Sequence, residues 1–460
     1  MNVEKLLLVG VLVSCAQDSG PAKGPGRDLD SGGVTDSAPD DDVDTEPPGT
    51  ALPSEVSRDS GRGVSDELVD AVGTAQRAFA LDLYREIVAS GAGDSGASFV
   101  YSPYSVSMAL SMTLAGAEGA TYDQLAAVMH LSEIDPLEID PALNAMDLTL
   151  TRRANDCAAL SDGENSCEIT IVNQGFVSCE AEVQEAYRDL LARSYGATMY
   201  QLDFFRDPDG AVDQINAWIS DITHEEIPEL LAYGDITKGS LLVLINALYF
   251  AVSWKEPFFE DSTEEGSFTE LDGSVSTAMM MQGTFDRATY AEGSGWQLVE
   301  LPYLGGSFSM SLLVPDPGRY LEVEGELDQE FLDTALASLT GTPLFLTMPR
   351  FRVEFQTDFV ESLQRLGASD LFVPGLADLS GISGVSSASS PLYVTDVMQD
   401  AIMEVDEQGT IAAAATAVIV EGEGEGEPDF TEVVIDRPFI MMIRQKDTGA
   451  LLFVGRVMRP

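Results

Sequence analysis

From Asp66 onward the apolar positions fall into helical order. Leu68, Val69, Val72, Ala75, Phe79, Leu83 and Ile87 recur at intervals of three and four, which predicts an amphipathic helix over 66–90. Ser102-Pro103 reads as a helix start, a capping hydroxyl followed by a residue suited to the first turn, with Val106, Ala109, Leu110, Thr113 and Leu114 on the inner face. Further helices are predicted over 120–129, 141–153, 181–195, 209–226, 329–339 and 357–366. Runs rich in β-branched and aromatic residues predict strands over 168–177, 241–250, 297–301, 307–314, 344–348, 392–405, 433–435, 439–444 and 450–457. Helices come mostly first and strands crowd the C-terminal part without regular alternation. That order predicts an α+β fold rather than a doubly wound parallel sheet. There is no internal repeat at solenoid periods.

The pattern changes before Asp66. Lys5 precedes Leu6-Leu7-Leu8-Val9-Gly10-Val11-Leu12-Val13, a run too short to span a bilayer but suited to the hydrophobic core of an export signal. It ends in Leu12-Val13-Ser14-Cys15, which resembles the bacterial lipoprotein signal, so Cys15 is the expected lipidation site and the lipid the expected contact with a membrane. Residues 16–65 are rich in Gly, Pro, Asp and Ser and bury too little to offset ordering, which predicts a disordered tether to a folded body over 66–460. The chain is expected to be exported, as a cell-envelope lipoprotein or an extracellular protein.

Charge narrows the partners. Asp+Glu 77 against Lys+Arg 24 gives a formal net charge of -53. So anionic a surface repels nucleic acid and acidic headgroups, so neither is an expected partner. The excess suits solubility in a salty medium or a cationic partner. Cys157 and Cys167 bracket a Ser/Asp/Gly/Asn loop that a disulfide could close, which leaves Cys179 unpaired and expected to be buried. No metal or cofactor site is predicted: no histidine accompanies these cysteines, and Glu421 to Glu425 lacks calcium-loop spacing.

Catalytic constellations are scarce. The two histidines, His130 and His224, are expected at the end of an apolar helix and within a polar one, and read as structural or solvated. There is no G-x-S-x-G, H-E-x-x-H, Walker loop or G-x-G-x-x-G after a strand. A binding or inhibitory protein is expected rather than an enzyme.

From about residue 66 to the C-terminus the chain resembles the serpin family. Ser98-Phe99-Val100-Tyr101-Ser102-Pro103-Tyr104-Ser105-Val106, with Gly116-Ala117, Gly119, Thr121 and Gln124-Leu125, is similar to its early helix signature. Ile245-Asn246-Ala247-Leu248-Tyr249-Phe250 with Trp254 and Phe258 resembles the strand and tryptophan at the upper opening of its large sheet. Leu301-Pro302-Tyr303, Met348-Pro349-Arg350-Phe351, Ala377-Asp378-Leu379-Ser380-Gly381-Ile382 and Asp436-Arg437-Pro438-Phe439 follow in family order. The resemblance implies about eight or nine helices around three β-sheets, a monomer, and an exposed reactive-centre loop near 408–430. It implies irreversible suicide inhibition of a serine protease: the loop is attacked as substrate, and the cleaved loop enters the large sheet as a new strand. A serpin-fold binding protein without inhibitory action and an inhibitor of cysteine proteases are the alternatives.

Under that resemblance Glu407, Gly409, Thr410, Ala412, Ala413, Ala414, Ala415 and Thr416 form the hinge, and Ser102, Ser105, Asn246, Trp254 and Gln399 belong to the region where the sheet opens. Gly409 is expected to absorb the backbone turn where insertion begins. Thr410, Ala412, Ala414, Thr416, Val418 and Val420 would face inward in the inserted strand, and all are small or β-branched and uncharged. A charge there would have to be desolvated as the sheet opens. Counting from Glu407 places the scissile bond at Glu423-Gly424, and counting back from Pro438 places it near Glu427. Either count makes the target a glutamate-specific endopeptidase; an elastase-like or subtilisin-like enzyme cutting within 419–422 is the alternative. The chain has Gln399 where inhibitory members commonly carry histidine. The helix over 141–153 offers only Arg152 and Arg153, so activation by a sulfated polysaccharide is not expected.

Overall fold

The computed structural model describes residues 6–8, 46–90, 96–162, 165–179, 181–384, 392–410 and 430–460. Ten α-helices and three β-sheets are present among them, an α+β architecture. The first helix runs Asp66–Ser90 and buries Val72, Phe79, Leu83 and Ile87. The helix Pro103–Leu114 starts at Ser102, whose side chain accepts from the Ser105 N–H, with Pro103 in the first turn where its missing N–H costs nothing. Every residue of that helix except Ala109 is buried, so it is the central pillar of the core.

The large sheet has eight strands. From its outer edge run Thr50–Leu52, Met199–Leu202, Cys167–Ser178 and Leu242–Ser253. Beyond an opening lie Val394–Val405 and then Phe351–Asp358, paired antiparallel from Phe351↔Val405 to Asp358↔Met398. The strand Gly409–Thr410 sits in the upper end of the opening and pairs antiparallel with both walls, which are therefore parallel to each other. At the other end Leu6–Leu8 runs parallel to Val394–Val405. A seven-stranded sheet carries Trp296–Pro302, Phe308–Pro315, Phe439–Gln445 and Leu451–Val457 at its centre, and a four-stranded sheet carries Thr431–Val434 beside Leu344–Pro349.

Several boundaries differ from expectation. The helix expected over 141–153 spans Pro136–Ala158: Asp135 caps it, Pro136 occupies the first turn, and Pro141 is carried inside. The helix expected to reach Glu226 stops at Ile222, so His224 lies outside it, with φ 51, and holds Glu168 through Nε2 at 2.7 Å. His130 follows the Gly119–Val128 helix and meets Asp82 at 2.8 Å. Residues 357–358, expected to start a helix, end the Phe351–Asp358 strand, and the helix begins at Val360. The folded body also begins earlier than Asp66, because residues 46–65 lie against it and supply the edge strand Thr50–Leu52. Cys157 and Cys167 form a disulfide with Cα atoms 5.8 Å apart. Cys179 takes no part in it and is half-buried rather than buried.

Candidate functional site

The two parallel walls of the opening, Leu242–Ser253 and Val394–Val405, carry most of the residues singled out in the sequence. After Val405 the chain turns back on Asp406, whose Oδ1 accepts the N–H groups of Gln408 at 2.8 Å and Gly409 at 3.1 Å. Burial holds the Asp406 pKa above its ordinary value, against the pull of those two N–H groups. Glu407, 3% exposed, receives Arg350 through Nε at 2.8 Å and Nη2 at 2.7 Å. That hydrogen-bonded pairing raises the Arg350 pKa in turn. Glu407 also accepts from the Thr263 hydroxyl, and Gln408 donates to Glu260 at 2.6 Å.

Trp254 closes the top of the opening. Its indole N–H donates to the Asp406 carbonyl at 3.0 Å, its backbone N–H to the Gln408 carbonyl at 2.7 Å, and its ring stacks on Tyr303 with centroids 4.5 Å apart. Tyr303 in turn meets the Thr410 hydroxyl at 2.6 Å, and burial keeps its phenol pKa far above the ordinary value. Gly409 does not have positive φ. Glycine is needed there for space: a Cβ would lie 2.2 Å from the Val252 carbonyl oxygen and 2.8 Å from the Ser253 Cα. The reason for the glycine is thus close approach to the sheet rather than the expected backbone turn.

Lower in the opening Gln399 holds the start of the central helix. The Ser102 N–H donates to Gln399 Oε1 at 2.8 Å, and Gln399 Nε2 donates back to the Ser102 carbonyl at 3.0 Å. Both partners of Ser102 are thereby supplied by one neutral amide, which presents its donor and its acceptor side by side. Ser102 Oγ meets Ser105 Oγ at 3.0 Å. Across the opening Asn246 donates to Asn173 at 2.7 Å, while its own Oδ1 is buried with no hydrogen-bond partner among the described residues. Ser102, Ser105, Asn246, Gln399 and Thr410 line one cavity of about 80 Å³.

The structure therefore brings Glu407, Gly409, Thr410 and Trp254 together at the top of the opening, and Ser102, Ser105, Asn246 and Gln399 around its middle. Ala412 to Thr416, the Glu423-Gly424 bond and Cys15 lie outside the described residues. Tyr303 and Arg350 fall within the family motifs Leu301-Pro302-Tyr303 and Met348-Pro349-Arg350-Phe351, which imply no role for either. Basic residues are scarce in so acidic a chain, 24 Lys+Arg against 77 Asp+Glu, and that scarcity was the available signal for Arg350. Among the described residues no group of three or more His, Cys, Asp and Glu side chains could hold a metal ion, and no helix is long and apolar enough to cross a membrane.

A family model described as "Serpin (serine protease inhibitor)" matches residues 74–460. The chain belongs to the serpin family. It is 33% identical over 392 residues to mouse antithrombin-III, covering 84% of this chain and 81% of that one. It is 35% identical over 366 residues to Iripin-3 of the tick Ixodes ricinus, covering 79% and 89%. Among solved structures it is similar to native protease nexin-1 with heparin, with a TM-score of 0.70 and 25% identity over 86% of this chain and 100% of that chain. The serpin fold is thus shown, in a family of serine protease inhibitors rather than of enzymes.

Proposed function

We propose that this serpin is a suicide-substrate inhibitor that traps a serine endopeptidase by inserting its cleaved loop into the opening of the large sheet. The observation that carries this reading is the strand Gly409–Thr410, already paired with both walls, Thr410↔Val252 on one side and Val405↔Thr410 on the other. Both pairings are antiparallel, so their register extends. Six residues beyond Thr410, Thr416 comes opposite both Asn246 and Gln399, and Val420 comes opposite Leu242, the end of that wall. The slot accepts 410–420, with Thr410, Ala412, Ala414, Thr416, Val418 and Val420 on its inner face. Thr416 Oγ1 would then offer a donor to the unpartnered Asn246 Oδ1.

The slot length bears on the bond that is cut. A protease held by an ester at Glu423 would be joined to the end of the inserted strand by Glu421 and Gly422 alone, whereas an ester at Glu427 would leave four more residues of slack. A short link is what transmits strain to the protease, so the reading takes Glu423-Gly424 as the scissile bond. The protease serine Oγ attacks the Glu423 carbonyl carbon, the bond to the Gly424 nitrogen breaks, Gly424 leaves as an amine with the serine proton, and the ester remains. Insertion adds a strand with ladder bonds to both neighbours, each with a net contribution of about 1 kcal/mol, and this drives the step that must outpace deacylation. A glutamate pocket is cationic or rich in donors, and a cationic enzyme would be drawn to a chain of net charge -53.

Export as a lipoprotein through Cys15 supports an extracellular target, and removal of the leader would clear Leu6–Leu8 from the lower end of the slot. The test is incubation with a glutamyl endopeptidase, denaturing electrophoresis, and mass measurement of the released fragment. A covalent complex with a fragment beginning at Gly424 is the expected result. Clean cleavage without a complex would favour the non-inhibitory serpin reading, and a complex formed instead with an elastase-like or subtilisin-like enzyme, releasing a fragment that begins within 420–423, would move the target to that class of enzyme.

A further inference from the structure

Residues 46–59 were expected to be part of a tether, yet they run as a strap along the outer edge of the large sheet. Gly49, with φ 101, brings the chain so close that a Cβ there would lie 2.3 Å from the Gln201 carbonyl oxygen. Thr50–Leu52 then pairs antiparallel with Met199–Leu202, from Thr50↔Gln201 to Leu52↔Met199. The other end of the strap is fixed in the interior. Ser54 Oγ donates to Asp189 at 2.6 Å, while Arg58 Nε donates to Asn144 Oδ1 at 2.9 Å and its Nη2 pairs with Asp147. Asn144 and Asp147 are each 1% exposed, so pulling Arg58 away would leave a buried carboxylate without its cation. The strap is thus held at both ends.

The register shows which pole of the sheet the strap comes from. Thr50 pairs with Gln201, Gln201 with Val177, and Val177 with Leu242, so these four residues form one rung. The hinge strand pairs at the opposite end of that wall, Thr410↔Val252, about 33 Å away at the usual strand rise. Met199–Leu202 runs parallel to Cys167–Ser178 and away from the hinge, so Thr50–Leu52 climbs toward the hinge and the chain before it arrives from the far pole. Both described ends of the reactive loop lie at the hinge pole instead. Thr410 is one; the other is Thr431–Val434, beside Leu344–Pro349, which leads directly into Phe351 opposite Val405.

Extended down the slot, the hinge pairing brings Val420 to the rung of Leu242 and therefore to the rung of Thr50. Four strand spacings, roughly 19 Å in all, separate the two on that rung. A protease joined to Glu423 would emerge beside the base of the N-terminal arm, whereas the uncut bait is offered at the opposite pole. Residues 16–45 join Cys15 to the strap and span at most about 100 Å.

We infer that the strap hangs the molecule from its anchor by the pole that receives the trapped protease, so that the anchored inhibitor offers its bait away from the membrane and carries the captured enzyme to the membrane side. The inference rests on the loop-insertion reading above, with Cys15 as the anchor. In the test, the chain from Cys15 onward, with Cys179→Ser so that only Cys15 couples, is joined through a maleimide lipid to phosphatidylcholine vesicles carrying acceptor-labelled headgroups. A donor-labelled glutamyl endopeptidase is then added in two forms. A protease with its catalytic serine replaced by alanine gives the encounter complex, and the active protease gives the trapped one. Energy transfer to the vesicle should rise severalfold on trapping, because the donor moves about 33 Å or more toward the pole that holds the arm. Gly49→Val cannot keep the close approach to Gln201, so its arm should leave from higher on the body; it should form as much covalent complex yet lose most of that rise. A covalent complex on denaturing gels with no rise in transfer, or a rise undiminished in Gly49→Val, would overturn the inference and leave the strap a mere edge strand. If Gly49→Val does not accumulate, the comparison of the two complexes of the parent protein decides. Absence of a covalent complex would instead bring down the trapping reading on which the inference rests.

Discussion

Thr410 is 1% exposed, hydrogen-bonded to Tyr303, and on the loop-insertion proposal the first inward residue of the strand that enters the sheet. Thr410→Arg would place a charge where none can be solvated. The expected outcome is that cleavage continues while the stoichiometry of inhibition, measured by titration against a fixed amount of protease, rises at least about tenfold. Gln399 supplies both partners of the buried Ser102 backbone, so Gln399→Ala leaves a donor and an acceptor unsatisfied and should lower stability by about 2–4 kcal/mol in denaturant unfolding. Because a carboxamide does not titrate, this latch contributes no pH dependence of its own. Asp406 does titrate. Burial raises its folded-state pKa above the ordinary 3.8, so its charge weakens the fold at neutral pH and ceases to do so once pH falls below 3.8. Asp406→Asn keeps an oxygen acceptor for Gln408 and Gly409 and should raise the thermal midpoint at pH 7, with the two curves converging below that value. The positions of Thr410 and Gln399 at the opening were legible from composition and family motif. Those of Tyr303 and Arg350 were not, because their partners lie 107 and 57 residues away in the chain.

At the scale of elements, long amphipathic patterns were readable and edges were not. The helix Asp66–Ser90 and the strand Val394–Val405 stood out because one face of each is buried. Phe351–Asp358 alternates in burial along its first half, but Thr357 and Asp358 were absorbed into the helix pattern that follows. Val275–Phe285, unassigned in the sequence, lies in the four-stranded sheet with a mixed burial pattern and a glycine at 283. The edge strand Thr50–Leu52 was invisible, since it joins the sheet through backbone bonds and its three residues bury little. The slot itself is an element whose length is set by its walls, and that length makes a prediction. Inserting two residues after Glu421 should leave loop cleavage unchanged but lengthen the link to the trapped enzyme. Densitometry of denaturing gels should show the covalent complex dissociating severalfold faster than that of the parent protein.

On the loop-insertion proposal, the intact molecule is folded into a state that is not its most stable one. The strand Gly409–Thr410 is already paired at the top of the opening, Gln399 and Asn246 line its middle, and on the loop-insertion proposal the rest of the central strand would be supplied only after a protease cuts. Thermal unfolding of the intact and loop-cleaved forms tests this directly and does not depend on knowing the target, because any enzyme that nicks the loop without forming a complex will serve. Insertion predicts that the cleaved form melts well above the intact one, by roughly 10 °C or more if the new ladder adds several kcal/mol. An unchanged or lower midpoint after complete cleavage would contradict it.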